Sequence, residues 1–164
     1  MAETSGSSAD RVRAALAALQ LQTEIRAFDA STRTSADAAA AIGCQVAQIA
    51  KSLVFKAKPS GRAVLVIASG INRVSEAKLA AALGEAIGKA DAAFVRDKTG
   101  FAIGGVAPVG HSEKPHIFID EDLLQYAEIW ASAGTPNSVF RLTPTELQRI
   151  TGGRVAAIKE AAAI

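Results

Sequence analysis

A single α+β or mixed-sheet domain is the fold class this sequence predicts, and three observations predict it. The chain has 164 residues, half of them hydrophobic and about a fifth charged, which suits one compact core rather than a disordered chain. Runs with strand periodicity and runs with helical periodicity alternate along it, and the repeating βαβ spacing of a doubly wound sheet is missing. No internal repeat and no Pro/Gly/Ser-rich linker divides it. Residues 1–9 are small and polar and are expected to form a disordered tail, which leaves 10–164 as the domain.

Each element has its own signal. Asp10 or a neighbouring serine caps a first helix to about Leu21, with Val12, Leu16 and Leu19 on one face. Residues 24–28 read as a short strand. Ser35 or Asp37 opens an alanine-rich helix that ends at Ile42 because Gly43 comes next. Residues 48–56 and 62–68 are β-like runs, and the Pro59 and Gly61 between them suit a hairpin reversal. Helices are expected over 75–83, behind Ser75, and over 90–97. Residues 116–119 have strand character, and Asp120, Glu121 and Asp122 then favour the positive end of a helix dipole. Strands at 128–132 and 138–142 flank a turn-rich connection. Thr143, Pro144 and Glu146 open a last helix with a capping box, and Gly152-Gly153 end it.

Composition narrows the function. Eighteen basic against sixteen acidic residues leave +2, too weak a balance to argue for nucleic acid by itself. Lys56, Lys58 and Arg62 form a local basic patch that reads as a solvated hairpin end. The longest apolar runs fall far short of a membrane span and no hydrophobic leader precedes them, so a cytosolic location without membrane contact is expected. Cys44 stands alone and reads as a small buried residue. With two histidines and no metal-ligand spacing, no metal site and no cofactor are expected.

Four features carry possible chemistry. Residues 100–111 form an uncharged, glycine-dense segment that reads as a recognition loop in which backbone approaches a ligand. Equally, 101–106 is readable as a buried strand stopped by Pro108 and Gly110. Lys51 enters an otherwise apolar strand, so its amine either snorkels to the surface as an edge lysine or meets an anionic or carbonyl partner. Ser52 comes directly after it, but neighbouring strand residues face opposite ways, which makes a Ser-Lys catalytic pair geometrically poor. His111 and His116 are the imidazoles available for acid-base work, His111 the better placed, and either also reads as structural. No nucleophile elbow, dinucleotide fingerprint or P-loop is present.

Three ordered motifs resemble a known family: Ile49-Ala-Lys51-Ser52-Leu-Val-Phe55, then Gly100 to His111 with its Gly104-Gly105 and Pro108, then Ala131-Ser132-Ala-Gly134 and, beyond it, Phe140-Arg-Leu-Thr-Pro144. They are similar to the YbaK/ProX family, free-standing relatives of the editing domain of bacterial prolyl-tRNA synthetases, over roughly residues 10–160. The resemblance implies a single-domain mixed β-sheet surrounded by helices, and hydrolysis of mischarged aminoacyl-tRNA carrying a small amino acid such as alanine, cysteine, serine or threonine. It places an important lysine at Lys51 and pocket-lining glycines at Gly104 and Gly105, and Ser132 and Gly134 match its later small-residue motif; beside these, Ser52, Pro108 and His111 are candidate substrate contacts. Implied partners are the acceptor end of the aminoacyl-tRNA and a cognate synthetase. Backbone N–H groups at Gly104 and Gly105 would stabilise the oxyanion, and the substrate's ribose hydroxyl, with His111 the weaker candidate, would activate the water. The chain departs from the family pattern at Thr135-Pro136-Asn137 and at His111, which bears on the amino acid accepted. A non-catalytic module that binds aminoacyl or nucleotide-like ligands, and an esterase or amidase for small metabolites, are the competing readings.

Overall fold

The computed structural model describes residues 7–29 and 34–161. Among these residues eight strands form one mixed sheet, and five α-helices pack around it. The strands are β1 (Ile25–Ala27), β2 (Ile49–Lys58), β3 (Ala63–Ser69), β4 (Ala86–Lys89), β5 (His116–Asp120), β6 (Ile129–Ser132), β7 (Ser138–Leu142) and β8 (Arg154–Ala156). Their order across the sheet is β1-β7-β6-β2-β3-β5-β8, with β4 also paired to β2. β2 and β3 form the expected antiparallel hairpin, and β6 against β2, β5 against β3 and β8 against β5 are parallel.

The helices are set by their caps. α1 (Ser8–Ala18) starts at Ser7, whose hydroxyl accepts from Asp10 N–H at 3.0 Å, and it buries Val12 and Leu16. α2 (Ser35–Ile42) is capped by Thr34 and stopped by Gly43 at φ +89. α3 (Glu76–Leu83) and α4 (Ala92–Thr99) start at Ser75 and Asp91. α5 (Pro144–Thr151) has the full capping box, Thr143 N–H donating to Glu146 Oε1 and Glu146 N–H to the Thr143 hydroxyl. Each cap satisfies donors that the first helical turn leaves unpaired.

The helices cover both faces of the sheet. On one, Leu65, Ile67 and Ala50 pack with Val12 and Leu16 of α1, Val95 of α4 and Leu147 of α5. On the other, Val64, Val66 and Phe118 meet Leu79 of α3, while Ile49, Trp130 and Val139 meet Ala38 and Ala39 of α2. The strict alternation along β3 assigns odd residues to the first face and even residues to the second.

Several expectations change. The first helix stops at Ala18, and it begins at Ser8, so residues 7–9 belong to the helix start; the rest of the expected tail, 1–6, lies outside the described residues. Residues 101–106 are irregular loop, which removes the buried-strand reading. The helix expected at 90–97 sits two residues later. The acids at 120–122 do cap, but the element they open is a 3-10 turn, Glu121–Gln125. Cys44 is half-buried rather than buried. β4 and β8 carried no expectation: each is short, and both lie where a glycine-stopped helix made the chain look finished. Among the described residues no helix is long and apolar enough to cross a membrane.

Leu65 is fully buried at the centre of the sheet, whereas Ile71 is 63% exposed at the end of β3. Leu65→Ala is expected to cost about 2–5 kcal/mol through lost contacts and a residual cavity. Ile71→Ala should stay within about 0.5 kcal/mol of the parent. Urea denaturation of the two variants beside the parent checks both.

Candidate active site

The site begins with a gap in the pairing of β2. One edge of β2 is occupied by β3 from Ala50 to Lys56. Its other edge is shared: β6 pairs with Ile49 and Ala50, and β4 pairs with Phe55 to Lys58. Between them, residues 51–54 have no strand partner on that edge. β6 and β4 diverge there, and a cavity of about 760 Å³ opens between them.

Because the cavity meets β2 edge-on, consecutive residues line it. Lys51, Ser52, Leu53 and Val54 all do, although Lys51 stands opposite Ala68 on the α2/α3 face and Ser52 opposite Ile67 on the α1 face. The alternation that argues against a Ser-Lys catalytic pair therefore holds, and both residues still reach one space. Val95, Ile103, Gly104 and Val106 form a second wall. Trp130, Ser132, Thr135, Ser138 and Val139 form a third, and Thr34, Ser35 and Gly70 close the end on the α2 side.

Among the described lining residues the titratable groups are Lys51 and Lys89, and no acid or imidazole is present. The cavity is thus electropositive. Burial and the nearby Arg73 charge push the Lys51 ammonium below its ordinary range, with Asp120 acting in the opposite sense. Asp120 is itself fully buried and accepts from Ser69 N–H at 3.1 Å and Asn72 Nδ2 at 2.8 Å. The Ser52 hydroxyl is buried and, among the described residues, has no hydrogen-bond partner. Such an orphan costs roughly 1–3 kcal/mol unless something satisfies it.

The glycine-rich segment divides by function. Gly104 has φ +87 with open space where a Cβ would stand, in a turn closed by Gly105 N–H donating to Ala102 O at 2.9 Å. That is the position at which a type II turn selects glycine. Gly105 is buried, its N–H already engaged, and a Cβ there would stand 3.2 Å from Thr135 Cα. So of the two expected oxyanion donors only Gly104 N–H is without a partner among the described residues.

The remaining expected site residues divide as well. Ser132 lines the cavity, its hydroxyl accepting from Gly134 N–H at 3.2 Å. Gly134 does not line it and lies instead against α1, where a Cβ would meet Ser8 O at 2.8 Å. Pro108 and His111 are also elsewhere: they line a separate hollow of about 210 Å³ with Lys114 and Ile150. There His111 Nε2 donates to Ala107 O at 2.7 Å and the ring stands edge-on to Phe101. Burial pushes this imidazole below its ordinary value. Proline and histidine closing a glycine-rich run thus anchor the loop on its far side. Thr34, Ser35, Gly70 and Ser138 line the cavity without having been singled out, because nothing local marks a residue that only the α2 packing or the sheet order brings to the site.

Residues 29–150 match a family model described as an aminoacyl-tRNA editing domain. An uncharacterised protein of Bacillus subtilis (strain 168), YwhH, is 29% identical over 134 residues, 82% of this chain and 85% of that one. In Enterococcus faecalis (strain ATCC 700802 / V583) the protein EbsC, named as a candidate Cys-tRNA(Pro)/Cys-tRNA(Cys) deacylase, is 30% identical over 123 residues, 73% of each chain. A crystal structure described as a candidate trans-editing enzyme for prolyl-tRNA synthetase superposes with a TM-score of 0.89 at 46% identity, over 94% of this chain and 98% of that one. The fold and the match across most of the length agree: this chain belongs to the aminoacyl-tRNA editing domain family, the YbaK/ProX-type deacylases that its three motifs resemble.

Proposed function

We propose that this protein hydrolyses the ester of mischarged tRNA carrying a small amino acid, with alanine, cysteine, serine and threonine as the candidates. The observation that supports this best is the meeting of Lys51, Ser52 and Gly104 in one electropositive cavity at the open edge of β2. A cavity of this size holds an aminoacyl group and its terminal nucleoside, not an acceptor stem. The rest of the tRNA lies outside it.

In this reading water attacks the ester carbonyl carbon, the carbon–oxygen bond to the ribose breaks, and the ribose oxygen leaves with a proton. Negative charge builds on the carbonyl oxygen as water adds. Gly104 N–H is the donor for it, and one such donor is worth about 3–4 kcal/mol of barrier. Lys51 holds the substrate carbonyl or the terminal phosphate. Ser52, as donor or acceptor, takes the polar group of the aminoacyl moiety that ends its orphan state. The described lining residues include no acid or imidazole to serve as a neutral-pH base, so the vicinal ribose hydroxyl of the substrate activates the water. His111 is engaged outside the cavity and takes no part in that step.

Discrimination then rests on shape, since one methylene is worth only about 1–3 kcal/mol. Selection of the tRNA falls to the acceptor stem or to a partner synthetase. We take the cytosol as the setting.

A deacylation panel across alanyl-, cysteinyl-, seryl-, threonyl- and prolyl-tRNA tests the proposal. Repeated release of amino acid at substoichiometric protein is expected, whereas a binding module would protect the ester. Rising salt should weaken turnover of the tRNA substrate and spare a small ester, because phosphate contacts are salt-sensitive. Lys51→Ala is expected to remove most activity while the protein stays folded; wild-type rates in that variant would end the assignment. Gly104→Ala strains a left-handed backbone by about 1–2 kcal/mol and should lower the rate as well. His111→Gln, by contrast, should retain deacylation. Because burial favours neutral His111 in the folded state, the unfolded chain takes up a proton first as pH falls below 6.5. Stability is therefore full above that pH and declines with acid, and melts across the range should show a smaller decline in His111→Gln.

A further inference from the structure

The loop that carries Gly104 is held at its two ends by one side chain from a distant helix. Arg11, on α1, donates from Nη1 to Gly100 O at 3.0 Å and from Nη2 to Thr99 O at 3.3 Å, which fixes where the loop leaves α4. From the same Nη2 it donates to Gly110 O at 3.2 Å, which fixes where the loop returns. Its guanidinium carbon lies 4.5 Å from the centre of the Phe101 ring. A planar fork with five donors spread over three nitrogens can gather three carbonyls from two chain segments at once; an ammonium has three donors but only one nitrogen from which to reach them.

The neighbouring glycines fit this arrangement. A Cβ on Gly100 would stand 2.5 Å from Arg11 Nη2, and one on Gly110 would stand 3.5 Å from Arg11 O. The absent side chain at Gly100 thus admits the guanidinium, Gly110 lies in ordinary contact with the α1 backbone, and Gly104, between them, opens to the cavity. α1 also touches the turn that leads into the facing wall of the site. Gly134 packs against Ser8 and Val12, and Gly105 packs against Thr135. Arg11 itself is absent from the cavity lining.

We propose that Arg11 is a positioning residue for the deacylation. By latching both ends of residues 100–110 to α1, it sets where Gly104 N–H stands relative to β2. It touches no substrate, so its loss should slow the chemical step and leave substrate binding alone. A donor displaced by about 1 Å costs on the order of 10²-fold in rate.

This rests on the deacylase reading, so the test measures the loop and the reaction separately. Arg11→Ala and Arg11→Lys are compared with the parent by steady-state deacylation, by thermal melting and by amide hydrogen exchange resolved to peptides. Arg11→Ala is expected to lower kcat by about 10²-fold at unchanged KM, with faster exchange confined to residues 100–110. Arg11→Lys should recover part of both, since it keeps charge but not the fork. A parent-like kcat, a loss expressed mainly in KM, or faster exchange spread across the sheet would overturn the proposal. If the parent itself deacylates none of the five tRNAs, the functional reading fails, and the latch is decided by exchange alone: faster exchange limited to the loop upholds it and unchanged exchange refutes it.

Discussion

Everything in the site depends on β2 having two different neighbours along one edge. β6 holds its beginning and β4 its end, and the four residues between them keep an unpaired edge beside the cavity. An open edge is ordinarily a hazard for a sheet, because it offers unpaired backbone groups to another chain. Here the edge is walled by the glycine-rich loop on one side and by the turn after β6 on the other, which leaves a cavity with room for a ligand. The same geometry lets adjacent residues with opposite orientations serve one ligand. A cavity over the face of a sheet would have admitted Lys51 or Ser52, not both.

The walls hold position because they are fastened to structure outside the site. Asp120, buried at the end of β5, ties Ser69 and Asn72 where the chain leaves β3. Ser69 in turn donates to Ala47 O at 2.7 Å, which joins this corner to the segment entering β2. Gly70 then brings β3 close enough to α2 that a Cβ would meet Ser35 and Val46. These groups take no part in the proposed chemistry. They satisfy buried polar atoms, and in doing so they fix the end of the cavity to which Lys51 belongs.

Much of this was legible in the sequence where the signal is local. Helix caps, the hairpin and the anomalous lysine each derive from a few adjacent residues, and the lysine proved to sit on the cavity rather than at a free outer edge. What escaped depends on distant partners. β4, Ala-Ile-Gly-Lys, is too short and too exposed to show a period, and it becomes a strand only because the end of β2 needs a neighbour. The glycine-rich segment was recognisable as special, but its glycines could not be sorted without the arginine and the Thr135 backbone that they approach. Pro108 and His111 belong to the same motif in sequence and to a different hollow in space, since the chain leaves the cavity after Val106. Contiguity in sequence is a poor guide to contiguity around a ligand once a loop reverses.

Charge also constrains how a substrate lies in the proposed reading. An aminoacyl ester carries a positive α-ammonium at one end and a negative phosphate at the other. The lining has two lysines and no carboxylate. Like unit charges 4 Å apart repel by about 4 kcal/mol at an effective dielectric of 20, so an ammonium lodged beside Lys51 would be strongly disfavoured. Alternation along β2 resolves this. Lys51 projects to the α2/α3 face and suits the phosphate, while Ser52 projects to the α1 face, among Val54, Val95 and Val106, and offers an uncharged hydroxyl. In that reading the amino acid lies on the α1 side of the strand edge and the terminal nucleotide on the α2 side. That puts the ester bond across the edge itself, the region bordered by the Gly104 turn, where the oxyanion donor is required.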